Sequence, residues 1–483
     1  MTASTARVLI ITDEPIGPFT SEASMRAWEF ARVLAREFPT TLAAPGYAPP
    51  DAPGFACVGL PPTGESIAAL IDLIAAHEII IARTLPLAEI PAEMIATKHL
   101  IIDLAHVWVI EGLQVHQGAE GIDEGWLARD LTAMSDLLAA GDFFICVGEA
   151  QRAFWLGALA QAGRLTETVY GRADDGRALI DVVPFGVPSV PPLKRAKALK
   201  GIVPGIGAND FVALWNAEPR PWLDPFALIH AVARLRDVDY PIRAYFLNDH
   251  PDNAVVRRRS DELNLTGTHV FFHEGRLGRG ERIEFLLEAD AVISLHLRTL
   301  EARFAFRTPA LDALWAGIVP VVSDGDATAE LLRGYDAGRV VPPGDDAALA
   351  LTLANLIDNP YERRLLAGRG HTIGQSFAWE TVTAPLLAFC HQPVKGTRVP
   401  GFVTADLRER VNELERTLYA TSTYAERLER ELAERGGPNL AAPADRGMGA
   451  RLRRAMGGIR QAPNRASTGD EPSNNSPDEP TPV

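Results

Sequence analysis

AVISLHLRTLEARFAFRTPALDALWAGIVPVVSDGD, residues 291–326, contains a strand, a helix and a second strand in one short span. AVISLH (291–296) and IVPVVS (318–323) are apolar, β-branched runs of strand length and read as buried strands. Between them, TPALDALWAG (308–317) has apolar residues at helical spacing. Thr308 is placed to cap this helix and Pro309 to take its first position. A strand that returns to its sheet through a helix is a parallel crossover, and parallel sheets carry helices on both faces. Folding alone does not call for the charges in this span: Glu301, Arg303 and Arg307 sit where strand hands over to helix.

The same alternation extends outward from this span. Upstream, FVALWN, IRAYFLN and HVFFHE read as strands, with DPFALIHAVARLR and GERIEFLLEA as helices. Downstream come GRVVPP and ALALTLANLID. Earlier in the chain RVLIIT, TTLAAP, EIIIAR, HLIIDL and DFFICV repeat the strand pattern. SEASMRAWEFARVLAREF is an amphipathic helix with Ser21 or Ser24 as its cap, and QRAFWLGALAQAG is a helix closed by a glycine. The stretch 178–210 is rich in proline and glycine and reads as a linker. The expected fold class is therefore α/β, with two doubly wound, Rossmann-like domains facing a cleft. The first spans 1–190 and the second 210–375, with the linker at 191–209 and a further helix at 376–393.

Beyond residue 404 the pattern changes. Leu407, Val411, Leu414, Leu418, Thr421, Ala425, Leu428 and Leu432 step by four and three, a heptad seam that predicts a coiled-coil helix over 404–436. That seam suits either self-association into a homo-oligomer or packing of one helix on the globular body. Residues 437–483 are rich in Pro, Ser, Asn, Asp and Gly and are expected to be a disordered tail. Within it, RLRRAMGGIRQ could touch an anionic membrane surface, although its central glycines disfavour a helix.

The chain has 483 residues and a formal net charge of −15 at pH 7, which argues against a nucleic-acid partner. Its three cysteines, Cys57, Cys146 and Cys390, are far apart, fitting a reducing cytoplasm and offering no metal-ligand spacing. MTASTARVLIITDE lacks the charged and apolar regions of a secretory leader, so a cytoplasmic setting is expected.

Doubly wound sheets bind ligands beyond the carboxyl ends of their strands, which selects the candidate site residues. In the second domain a helix N-terminus at Thr308, flanked by Arg303 and Arg307, suits an anion such as a diphosphate. Asp312, one turn into that helix, could accept hydrogen bonds from a ribose diol. In the first domain Glu14 and Gly17 follow one strand, Asp103 and His106 end another, and Glu149 opens the helix after a third. Surface ion pairing is the plain alternative for these charges.

Along almost all of 7–392 the sequence resembles the GT-B glycosyltransferases of group 1, or family 4. IDVVPFGVP, LLEADAVISL, LDALWAGIVPVVSDGD, GRVVPPGDDAALA and FAWETVTAPLLAF match successive family blocks in order. RAWEFA (26–31), EAQRAFWLGAL (149–159) and FRTPALDALWAG (306–317) resemble blocks of bacterial polysaccharide-cluster members. The resemblance implies a retaining transfer of sugar from a nucleotide sugar to a saccharide or lipid-linked acceptor, in surface polysaccharide synthesis at the cytoplasmic membrane face. It implies His106 as a contact to the transferred sugar and Asp312 as the ribose-binding acid. The family's first glutamate falls on Phe304, leaving Glu301 as its nearest substitute. The paired diphosphate cations fall near 216–224, where only Arg220 is cationic, so Arg307 and Arg276 would share that role. No cofactor or metal is required, since arginines and a helix terminus can stabilise a departing diphosphate. The competing reading is a catalytically degenerate body that binds partners through its coiled coil.

Overall fold

The computed structural model describes residues 6–399 except 18–20, 47–53, 62–64, 118–124, 173, 249, 251 and 252, with helical positions at 414, 416–421, 423, 424 and 427. The chain divides into one unit of Met1–Phe402 and another of Val403–Val483. Most of the heptad seam and the whole of 437–483 lie outside the described residues.

Two parallel sheets form the first unit. In chain order the first contains β1 (Val8–Ile11), β2 (Thr40–Pro45), β3 (Ala56–Leu60), β4 (Ile79–Ala82), β5 (His99–Asp103), β6 (Phe143–Cys146) and β7 (Ile180–Val182). Their spatial order is β3-β2-β1-β4-β5-β6-β7. The second sheet contains β8 (Phe211–Trp215), β9 (Ile242–Phe246), β10 (Val270–Phe272), β11 (Ala291–Ser294), β12 (Val319–Ser323) and β13 (Arg339–Val341), in the order β10-β9-β8-β11-β12-β13. Each order reverses direction once, between β1 and β4 and between β8 and β11, and the strand ends there open into a crevice.

Alternate residues explain the helices on both faces. Val8 and Ile10 enter one core while Leu9 and Ile11 enter the other, and β8 divides in the same way. Two strands were not expected. β7 lies inside the proline-rich stretch read as linker, and β3 is a partly exposed outer strand without a strong apolar run.

The span 291–326 folds as β11, a 3₁₀ turn at Glu301–Phe304, the helix Thr308–Ala316 and β12. The helix begins one residue earlier than the sequence suggested. Arg307 is the N-cap and its side chain makes no capping bond, so Thr308 and Pro309 occupy the first turn. Gly317 ends the helix at φ 68, a left-handed angle that glycine adopts freely. Leu311 and Trp315 from this helix join the core on one face of the first sheet. Trp379, Leu386 and Cys390 enter the same core, returning the chain to the first domain. Among the described residues, no helix is long and apolar enough to cross a membrane.

Candidate functional site

Between the two sheets lies a cleft of about 480 Å³ lined from both sides. From the first domain come Glu14 after β1, Arg83 after β4, and His106 and Glu111 after β5. The second contributes Asn216 and Arg220 after β8, Arg282 from the helix Arg279–Leu286, and Glu301, Arg307, Thr308 and Asp312 beyond β11. The carboxyl ends of both sheets thus converge on one cavity. Seven of the twelve candidate positions line it: Glu14, His106, Arg220, Glu301, Arg307, Thr308 and Asp312.

Five do not. Asp103 is buried and bound by Arg26, whose guanidinium donates to both its oxygens at 2.7 and 3.2 Å and also to the carbonyls of Val183 and Pro184. It holds the first domain together. Glu149 pairs with Arg177 at 2.6 Å on the surface. Arg303 and Arg276 are exposed outside the cavity lining. Gly17 is likewise outside it and does not adopt the left-handed angle its residue type permits.

The expected anion clamp is built differently from the sequence reading. Arg307 is buried and forked by Glu301, with both terminal nitrogens donating to that carboxylate at 3.0 and 2.9 Å. Its Nε donates to Asp326 at 3.2 Å. One guanidinium therefore serves two carboxylates. Burial raises the pKa of Glu301 and of Asp326, and Arg307 offsets only part of that rise. Asp326 also caps the next helix by accepting from Ala329 N–H at 2.7 Å. His296, fully inside this cluster, is shifted down by burial and then by Arg307, so it stays neutral.

The helix mouth faces the cavity but offers few amides. Pro309 has no N–H, and those of Ala310 and Leu311 donate to the Arg307 carbonyl. The Thr308 hydroxyl donates across the cleft to Glu22. Arg307 and the amides of Ala310 and Leu311 are thus already engaged, because the fold uses them to fasten the loop.

Other groups bring acceptors to the cavity wall. Asp312 Oδ2 lies 3.5 Å from the side-chain amide of Asn216, whose own Oδ1 is buried without a partner among the described residues. Together they offer acceptors at the second domain's switch point, suited to ligand hydroxyls. Across the cavity, His106 Nδ1 lies 3.2 Å from Glu111 Oε1. Burial opposes the imidazolium, but the Glu111 carboxylate outweighs it and raises His106 above its ordinary value of 6.5. The position of the family's first glutamate is filled by Phe304, whose ring packs 5.1 Å from that of Phe154. Trp222 is buried yet borders the cavity, whereas Trp215 belongs to the core.

The sequence reading missed Glu22, Arg83, Glu111, Gln151, Asn216 and Arg282. Asn216 and Arg83 could have been found, since each directly follows an apolar strand. The others sit inside ordinary helices or pair across the fold, where spacing carries no signal.

Residues 205–370 match the family model described as Glycosyl transferases group 1. Over 83 residues the chain is 32% identical to the phosphatidyl-myo-inositol mannosyltransferase of Mycobacterium leprae (strain TN), covering 17% of this chain and 22% of that protein. The chain thus matches about a fifth of that relative's length. Sucrose-phosphate synthase from Thermosynechococcus elongatus aligns structurally at a TM-score of 0.61 and 14% identity, over 80% of this chain and 98% of the other. HepE from Anabaena, solved in complex with UDP-glucose, aligns at a TM-score of 0.54 and 15% identity, over 80% and 100%. At such identities the structural likeness establishes the fold. With the matched family model, it bears out the resemblance to group 1 glycosyltransferases of the GT-B fold.

Proposed function

We propose that this chain is a group 1 glycosyltransferase of the family 4 type, transferring sugar from a nucleoside-diphosphate sugar to a saccharide or lipid-linked acceptor. The observation that carries this reading is the cleft, where the carboxyl ends of two doubly wound sheets meet and the second belongs to the matched family segment. In this reading Asp312 and Asn216 accept hydrogen bonds from the ribose. Arg220, more than half exposed and only loosely paired with Glu218 at 3.7 Å, turns toward the phosphates. His106, whose pKa the Glu111 carboxylate raises, donates to the transferred sugar, and Glu14 faces the acceptor. Glu301, tied to Arg307, contributes a fixed polar wall and does not act as a proton acceptor. Electrostatic stabilisation of the departing diphosphate needs no metal here.

Retention of the anomeric configuration, and a role in surface polysaccharide assembly at the cytoplasmic membrane face, follow from the family resemblance and form part of the proposal. The test is to incubate the purified protein with a panel of nucleotide sugars, following thermal stability and donor hydrolysis. At least one nucleoside diphosphate should raise the melting temperature, and its sugar conjugate should be slowly hydrolysed. A folded protein that responds to no member of the panel would refute the reading.

A further inference from the structure

Among the described residues four arginines line the cleft, and the carboxylates beside them divide them into two pairs. Arg83 is held by Asp13 at 2.6 Å and by Glu14 at 3.3 Å. Arg307 is held by Glu301 and Asp326. A guanidinium already forked by carboxylates must give up those bonds before it can take a phosphate, so neither is poised to do so. Arg220 and Arg282 remain, both from the second domain.

Arg282 is the better placed of the two. It lies in the helix Arg279–Leu286, whose Ile283 packs against the core that Leu311 and Trp315 share with the first sheet. Its guanidinium donates to the side-chain carbonyl of Asn248, a neutral partner, and no carboxylate pairs with it among the described residues. The amide nitrogen of Asn248 is itself buried without a partner among the described residues. Asn248 lies just beyond β9, beside the β8 edge that carries Asn216. Among the described residues, a guanidinium with no carboxylate partner thus lines the cleft at the carboxyl edge of the second sheet, where a negatively charged ligand would compensate it.

We infer that Arg282, together with Arg220, grips the diphosphate of the nucleotide donor, in place of the clamp expected at Arg307. This assignment rests on the proposed nucleotide-sugar reading. It calls for a fork rather than a point charge, because two phosphate oxygens can accept from one guanidinium at once.

The experiment titrates the full-length protein with the diphosphates of uridine, guanosine, adenosine, cytidine and thymidine, and with the corresponding nucleosides. Wild type is compared with Arg282→Ala and Arg282→Lys. Losing a charge-assisted hydrogen-bonding group should weaken the preferred diphosphate by about ten- to a hundredfold. The matching nucleoside should bind all three proteins alike, and Arg282→Lys should fall between the others. Unchanged diphosphate affinity in Arg282→Ala, or equal loss for nucleoside and diphosphate, overturns the assignment. If wild type binds none of the diphosphates, the nucleotide-sugar reading fails and this inference fails with it. Matching melting curves in the absence of ligand show that the variants are folded.

Discussion

Arg307 sits at a helix N-terminus beside a cavity, yet its hydrogen bonds run inward to Glu301 and Asp326. Chain position suggested a ligand clamp, while the neighbours make it a buried tie. Removing one member of such a cluster strands a charge in the interior, at a cost of about 3–5 kcal/mol. Arg307→Ala should therefore lower unfolding stability by roughly that amount in chemical denaturation, with Arg307→Ala/Glu301→Gln recovering part of it. A variant as stable as wild type but weakened in nucleotide binding would restore the clamp. Asp312 was legible as a cavity-lining position because one turn of helix places it beside the mouth whatever else surrounds it. The place of Arg282 on the cavity wall was not, since nothing in GERIEFLLEA indicates that its arginine would face the cleft with no carboxylate partner among the described residues.

The helix Thr308–Ala316 carries much of the second domain's share of the cleft, and its seat is set by the helix Pro360–Ser376 behind it. The two approach through glycines. A Cβ on Gly374 would lie 2.9 Å from the Leu314 carbonyl carbon, and one on Gly370 would lie 2.9 Å from Leu314 Cδ2. Backbone cannot yield as a side-chain tip can, so Gly374→Ala should push the helices apart. The expected loss is about 1–3 kcal/mol in thermal or denaturant unfolding, with weaker ligand binding as Asp312 shifts. No change in either would mean that the seat is looser than it looks. Most strands were readable because a buried parallel strand is a continuous apolar run. β7 was hidden by the prolines that follow it, and β3 by its partial exposure at the sheet's outer edge.

Across the whole first unit, the two domains are joined by more than the linker. Gln151 accepts from Val147 N–H, while its Nε2 donates at 2.9 Å to Ala105 in one domain and to Phe304 in the other. Trp315 donates from its indole to the carbonyl of Val190, the last residue of the first domain, at 3.0 Å. The linker's far end is pinned by Glu288, which accepts from the backbone N–H groups of Ala198, Leu199 and Lys200. Gln151→Leu keeps the volume but removes the bridge to Phe304. In small-angle scattering this variant should show a larger radius than wild type without ligand, and a saturating nucleotide should narrow the difference. Identical radii with and without ligand would show that the interface packing alone holds the domains.

What the sequence determined by itself was the alternation of apolar strands and amphipathic helices, because burial on two faces and helical spacing are local properties of the chain. Those patterns were enough for two doubly wound sheets, for the edge at which a ligand would sit, and for the family they resemble. The tertiary structure alone decided which charges are spent and which are available. Arg26 meets Asp103 across 77 residues and Arg282 meets Asn248 across 34, so the balance of each group depends on neighbours that only folding brings together.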